Sequence, residues 1–145
     1  MTEFEKATAK VEKYTRKLAK AQNDLGWMYY VGLGVKQDYA QAVRWWTKAA
    51  EQGYAIAQFN MGFMYYYARG VKEDYAEAVR WWTNAAEQGH IRVYSYLGYM
   101  YYKGEGVEQN DAEAVRWYTK AAEQGNESAQ EMVDKLTKEM ESKND

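Results

Sequence analysis

Apolar positions along this chain recur on two scales. On the longer one, LGWMYYVGLGV (residues 25–35), MGFMYYYARGV (61–71) and LGYMYYKGEGV (97–107) follow one another at intervals of 36 residues. Their sequels keep step as DYAQAVRWWTKAAEQG from Asp38, DYAEAVRWWTNAAEQG from Asp74 and NDAEAVRWYTKAAEQG from Asn110. On the shorter scale the apolar residues of each half fall three and four apart, the helical period. Units of this length are too small to bury a core alone, so a fixed period predicts a stack of helix pairs.

Punctuation divides each unit in two. Gly34, Gly70 and Gly106 close the first helix and its loop. Asp38, Asp74 and Asn110 are N-cap residues, with Gln41, Glu77 and Glu113 placed three residues on to complete capping boxes. Gly53, Gly89 and Gly125 end the second helix, and no proline interrupts either one. Before the first unit, Phe4, Ala7, Val11, Tyr14, Leu18, Ala21, Leu25 and Met28 form a heptad seam opened by Thr2 and Glu5. Two outcomes fit it: one continuous helix from about Glu3 to Tyr30 whose outer part pairs with a second copy, or a cap helix folding back near Lys17. After the last unit, Asn126 caps a helix with the stripe Ala129, Met132, Val133, Leu136 and Met140.

The unit resembles the Sel-one-like repeat family, relatives of the tetratricopeptide repeat. Residues 21–53 match its pattern at Ala21, Leu25, Gly26, Tyr29, Gly32, Gly34, Val35, Asp38, Ala42, Trp45, Ala49, Ala50 and Gly53. The second unit departs at Met61 and Ala68, the third at Val93 and Asn110. The resemblance implies an all-α, right-handed αα-superhelical solenoid. Its expected parts are an N-terminal helix (1–20), three repeats (21–56, 57–92, 93–128) and a C-terminal helix (129–145). It also implies core roles for Tyr29, Tyr65, Tyr101, Trp45, Trp81 and Trp117, and leaves Trp46, Trp82 and Tyr118 open. The units are nearly identical in their second helices, as recent duplication and consensus-style engineering would each produce.

The first helices are apolar all round. On a helical wheel, Ala57, Met61, Met64 and Tyr65 share one face, while Ile56, Phe59, Phe63, Tyr66 and Tyr67 lie nearly opposite. One face seals against the partner helix, which leaves the other for a neighbour or a ligand. By resemblance to tetratricopeptide stacking, the second face lines a concave groove. Its register equivalents are Asn23, Trp27, Tyr30 and Val31 in the first unit, and Arg92, Ser95, Tyr99, Tyr102 and Lys103 in the third. Residues 54–60 (YAIAQFN) and 90–96 (HIRVYSY) differ at every position. Packing positions must stay alike after duplication, so this block marks where specificity is tuned.

Composition narrows the function. Fifteen Tyr, six Trp and three Phe exceed what one small core needs, and Tyr, Trp and Arg concentrate binding energy at interfaces. A net charge of -2 gives no field for a phosphate backbone, so nucleic acid is not expected. The charged N-terminus is neither a signal peptide nor a membrane span, so a soluble chain of undefined compartment is expected. Without Cys and with one His, His90, neither a thiolate nor a transition-metal site is expected, and no cofactor is implied. Some Sel-one-like proteins are associated with β-lactam binding or hydrolysis, yet no nucleophile elbow or S-x-x-K motif surrounds Ser95 or Ser128. The reading is a non-catalytic scaffold that binds a protein or peptide through an aromatic-rich groove. Self-association through the N-terminal helix or the groove is the alternative.

Overall fold

The computed structural model describes all 145 residues. They form seven α-helices and one 3₁₀ turn, in two compact units, Met1–Glu73 and Asp74–Asp145.

The first unit holds α1 (Glu3–Val31), α2 (Tyr39–Glu51) and α3 (Ala55–Tyr66). At the start of α1 the Glu5 amide donates to Thr2 Oγ1 (3.1 Å) while the Thr2 amide donates to Glu5 Oε2 (2.8 Å). The helix then runs unbroken to Gly32, so the fold-back near Lys17 does not occur. Residues 1–18 are exposed all round, and packing begins at Ala19. Ala19, Asn23 and Gly26, spaced four and three, form the buried face. A Cβ on Gly26 would fall within the Trp46 ring, so glycine there is what lets the α2 indole lie against the α1 backbone. From that position Trp46 Nε1 donates to the Asn23 carbonyl at 3.0 Å. Where α3 meets α2, Ala57, Met61 and Met64 of α3 are buried, and Thr47 Oγ1 approaches Met61 Sδ at 3.7 Å.

The second unit holds α4 (Tyr75–Glu87), the 3₁₀ turn Ile91–Val93, α5 (Tyr94–Lys103), α6 (Asp111–Glu123) and α7 (Glu127–Lys143). The same device joins α5 to α6: a Cβ on Gly98 would lie 2.8 Å from the Tyr118 ring. Leu97 and Met100 are fully buried on α5, while Tyr118, Ala121, Ala129 and Leu136 pack into one cluster with Tyr101, Tyr102 and Val133. Asn126 caps α7 by accepting from the Ala129 amide at 3.0 Å. Whereas α3 opens directly as α-helix, the equivalent segment opens as a 3₁₀ turn that buries Val93 completely at the register position of Ala57.

Three expectations need correction. Trp45, expected in the core, is only half-buried, and its neighbour Trp46 takes the deep position. The outer face of Trp45 is covered by the Lys48 ammonium, 4.6 Å from the ring centroid, as a long cationic side chain can do without leaving water. Trp81 and Trp117 are buried and carry Arg80 and Arg116 over their rings at 4.4 and 4.6 Å. Tyr29, Tyr65 and Tyr101 are half-buried, which leaves part of each ring outside the core. Finally, only α1 completes its capping box. Asp38, Asp74 and Asn110 each accept from the amide three residues on, but the Glu77 and Glu113 carboxylates turn to Arg80 and Arg116 instead. A charged guanidinium fork is a stronger donor than the cap's own amide.

The departure at Ala68 reaches the backbone. Ala68 is the one non-glycine residue at positive φ (53°), at the register position where the other repeats place Gly32 (76°) and Gly104 (69°). The left-handed conformation costs an L-residue about 1–2 kcal/mol, of which glycine's greater unfolded-state entropy offsets a part. Ala68→Gly is therefore expected to stabilise the chain by about 1 kcal/mol, read as a higher midpoint in urea unfolding at unchanged slope.

Candidate functional site

With α1 and α3 both packed against α2, each carries a second apolar face. In the first unit these faces carry a run of touching rings. Trp27, 51% exposed, stacks on Tyr30 with centroids 5.8 Å apart, and Tyr30 in turn meets Tyr39 at 5.2 Å and Trp46 at 5.5 Å. On α3 and just beyond it, Phe63 meets Phe59 edge-on (4.8 Å) and stacks with Tyr67 (6.2 Å), which meets Tyr66 edge-on (4.9 Å). Tyr67 is 54% exposed, and Ile56 and Val31 are exposed beside the rings.

One residue joins the two runs. The Arg69 guanidinium lies 5.9 Å from the Tyr30 centroid, 5.7 Å from Tyr39 and 5.3 Å from Tyr67, and it donates a hydrogen bond from NH1 to the Tyr30 hydroxyl. Rings from α1, the start of α2 and the end of α3 thus form one patch around a cation.

Two residues expected on this face do not reach the surface. Asn23 is 8% exposed because it belongs to the Ala19–Gly26 face against α2, and Phe59 is 9% exposed behind Phe63. Trp27, Tyr30, Val31, Ile56, Phe63, Tyr66 and Tyr67 keep exposed or half-exposed positions.

In the second unit Tyr99 (37%) and Lys103 are exposed, Arg92 is exposed in the 3₁₀ turn, and Tyr102 and Ser95 are half-buried. Lys103 and Lys135 sit over the Tyr102 ring at 5.5 and 5.4 Å, and Lys135 Nζ donates to the Tyr102 hydroxyl at 3.3 Å. That hydrogen bond raises the Lys135 pKa, with the nearby phenol and Glu139 adding to it. Beneath them, burial pushes the Tyr118 phenol up to about 12, helped by Tyr102 and Tyr99. His90 precedes the turn, and burial first and Arg92 second lower its pKa, which favours the neutral imidazole.

Sequence reasoning missed Arg69, Tyr39 and Lys135. A signal for Arg69 was present: its register equivalents are Leu33 and Glu105, so this loop position diverges as the block at 54–60 does. Nothing in the sequence pairs Lys135 with Tyr102, which is a contact between α7 and α5. No helix is long and apolar enough to cross a membrane.

Among solved structures, a similar one is c5321, a protective antigen present in uropathogenic Escherichia coli strains displaying an SLR fold. It aligns with a TM-score of 0.78 and 45% identity, over 82% of this chain and 26% of that one. A Sel1 repeat protein from Oxalobacter formigenes aligns with a TM-score of 0.76 and 42% identity, over 79% of this chain and 47% of its own. The chain therefore spans about a quarter and about half of these two proteins' lengths. Cysteine rich protein B of Helicobacter pylori, at 24% identity and a TM-score of 0.62 over 83% of this chain and 90% of that one, shares the fold. A search of curated proteins finds no match. The Sel1 repeat model matches three times, at residues 19–54, 55–90 and 93–126. With that match running through most of its length, the chain belongs to the Sel1 repeat family.

Proposed function

Sel1 repeats generally serve as protein-interaction scaffolds, and we propose that this chain is a non-catalytic one whose partner is a protein or peptide segment held on the aromatic faces of the first helices. The observation that carries the reading is the exposed ring run of the first unit, with Trp27 and Tyr67 at its two ends, half in solvent and fixed by neighbours. Rings already held by stacking lose little freedom when a partner covers them, and they bring large apolar area with polar tips. In the second unit Tyr99 and Tyr102, with Lys103 alongside, supply the same chemistry. Isolated exposed apolar residues are ordinary on protein surfaces; a contiguous aromatic patch is not.

A second reading, self-association through α1, is favoured by a different observation. Phe4 is 80% exposed, and Val11, Tyr14 and Leu18 of the same heptad seam are exposed with it. A lone helical segment of this length is marginal in water, and a seam of period 3.5 is matched by another helix of the same period. The nearest supply of one is α1 of a second copy.

Each reading has its own variants. A peptide selected against the folded chain should lose about 1 kcal/mol or more of affinity on Trp27→Ala and on Tyr67→Ala, with helical content unchanged by circular dichroism. Unchanged affinity in both variants rejects the aromatic face as the binding surface. For α1, sedimentation equilibrium should show a concentration-dependent dimer that Val11→Glu dissociates at least about tenfold, since a charge buried in a seam is strongly unfavourable. A monomer at all concentrations removes self-association.

A further inference from the structure

We infer that Arg69 is the anchor for a partner's carboxylate, so that the segment taken by the aromatic face of the first unit carries an Asp or Glu side chain, or a free C-terminus, next to its apolar residues. The inference rests on the reading of that face as a binding surface and adds to it the chemistry of the partner.

The guanidinium of Arg69 is half-buried among three tyrosine rings, and the only side-chain hydrogen bond it makes is to the Tyr30 hydroxyl. A guanidinium offers five N–H donors in a rigid fork, so most of this one's capacity is unused. It also makes no ion pair. The chain's other arginines with ion pairs, Arg16, Arg80 and Arg116, each have a glutamate one turn away on their own helix. Arg69 lies in the loop after α3, and none of the chain's ion pairs includes it.

Ring faces orient a cation and attract it, but they do not neutralise it or satisfy its N–H groups. What remains is a positive fork held in one place, ringed by apolar surface that lowers the local dielectric and strengthens any charge that docks there. A carboxylate matches the fork in plane and spacing. Its single charge matches a single cation, whereas a dianionic phosphate would be only half compensated here and would be opposed by the chain's net charge of -2. The purely structural alternative is that Arg69 is a strut tying α1 to the end of α3. That role needs the ring contacts but no anion, and it predicts no preference in the ligand.

The experiment selects random linear peptides by display against the full chain. It then measures the affinity of a recovered peptide, and of the same peptide with its acid replaced by the amide, for wild type, Arg69→Gln and Arg69→Lys. The expected result is that recovered peptides carry an acidic group near an aromatic or aliphatic residue. Loss of either the acid or Arg69 should weaken binding about tenfold, the amide peptide should be indifferent to Arg69→Gln, and Arg69→Lys should fall between. If Arg69→Gln lowers the melting temperature, the acid-to-amide ratio measured on Arg69→Lys and wild type still decides. Peptides that depend on Trp27 and Tyr67 but show no acidic preference, or an equal loss for acid and amide peptides on Arg69→Gln, overturn the carboxylate assignment and leave the aromatic surface standing. A library that yields no binder overturns both.

Discussion

The contact on which the rest depends is an aromatic ring lying where a Cβ would be. Gly26 admits the Trp46 indole against the α1 backbone, and Gly98 admits the Tyr118 ring against α5 in the same way. In the second unit this close approach goes with complete burial of Leu97, next to Gly98, and of Met100, two residues beyond it. In the first unit it lets the Trp46 indole N–H find the Asn23 carbonyl, so the buried ring has no unmet donor. On the other side of α1, Trp27 stays half in solvent and stacks on Tyr30. That half-exposed ring opens the aromatic patch of the first unit.

That patch is assembled from three segments which the sequence holds far apart. Tyr30 stands on α1, Tyr39 at the start of α2 and Tyr67 at the end of α3, and the loop residue Arg69 touches all three. The loop that aims Arg69 includes Ala68 in a left-handed conformation where the sister repeats keep glycine. Strain and a cation without an ion pair therefore occur side by side at one of the places where the repeat pattern is broken. Such local departures from an otherwise consistent pattern are where function is expected to reside.

How much of this was legible beforehand follows from what each feature depends on. Repeat length, helix number and capping residues are local properties, readable from Asp38, Asp74, Asn110 and the recurring glycines. The continuous α1 was one of two outcomes because a heptad seam alone does not say whether a chain turns; the absence of a breaker near Lys17 decided it in favour of one helix. Burial ranks were less legible. Trp45 and Trp46 are adjacent and chemically identical, and only the position of Gly26 across the interface decides which one is deep. Likewise Asn23 and Phe59, which occupy equivalent positions on the wheel face expected to be open, are both inside. The role of Arg69 required the tertiary contact itself, although its divergence from Leu33 and Glu105 marked the position.

The central claim is that the first helix keeps a ring in water on one side while its other side seals against a buried ring of the second helix. Its most direct test is fluorine NMR on the fluorotryptophan-labelled chain, with signals assigned by single Trp→Phe variants and the solvent exchanged from water to deuterium oxide. The account predicts a solvent isotope shift at Trp27 and essentially none at Trp46 or Trp82. A Trp27 signal as insensitive to solvent as those two would contradict it.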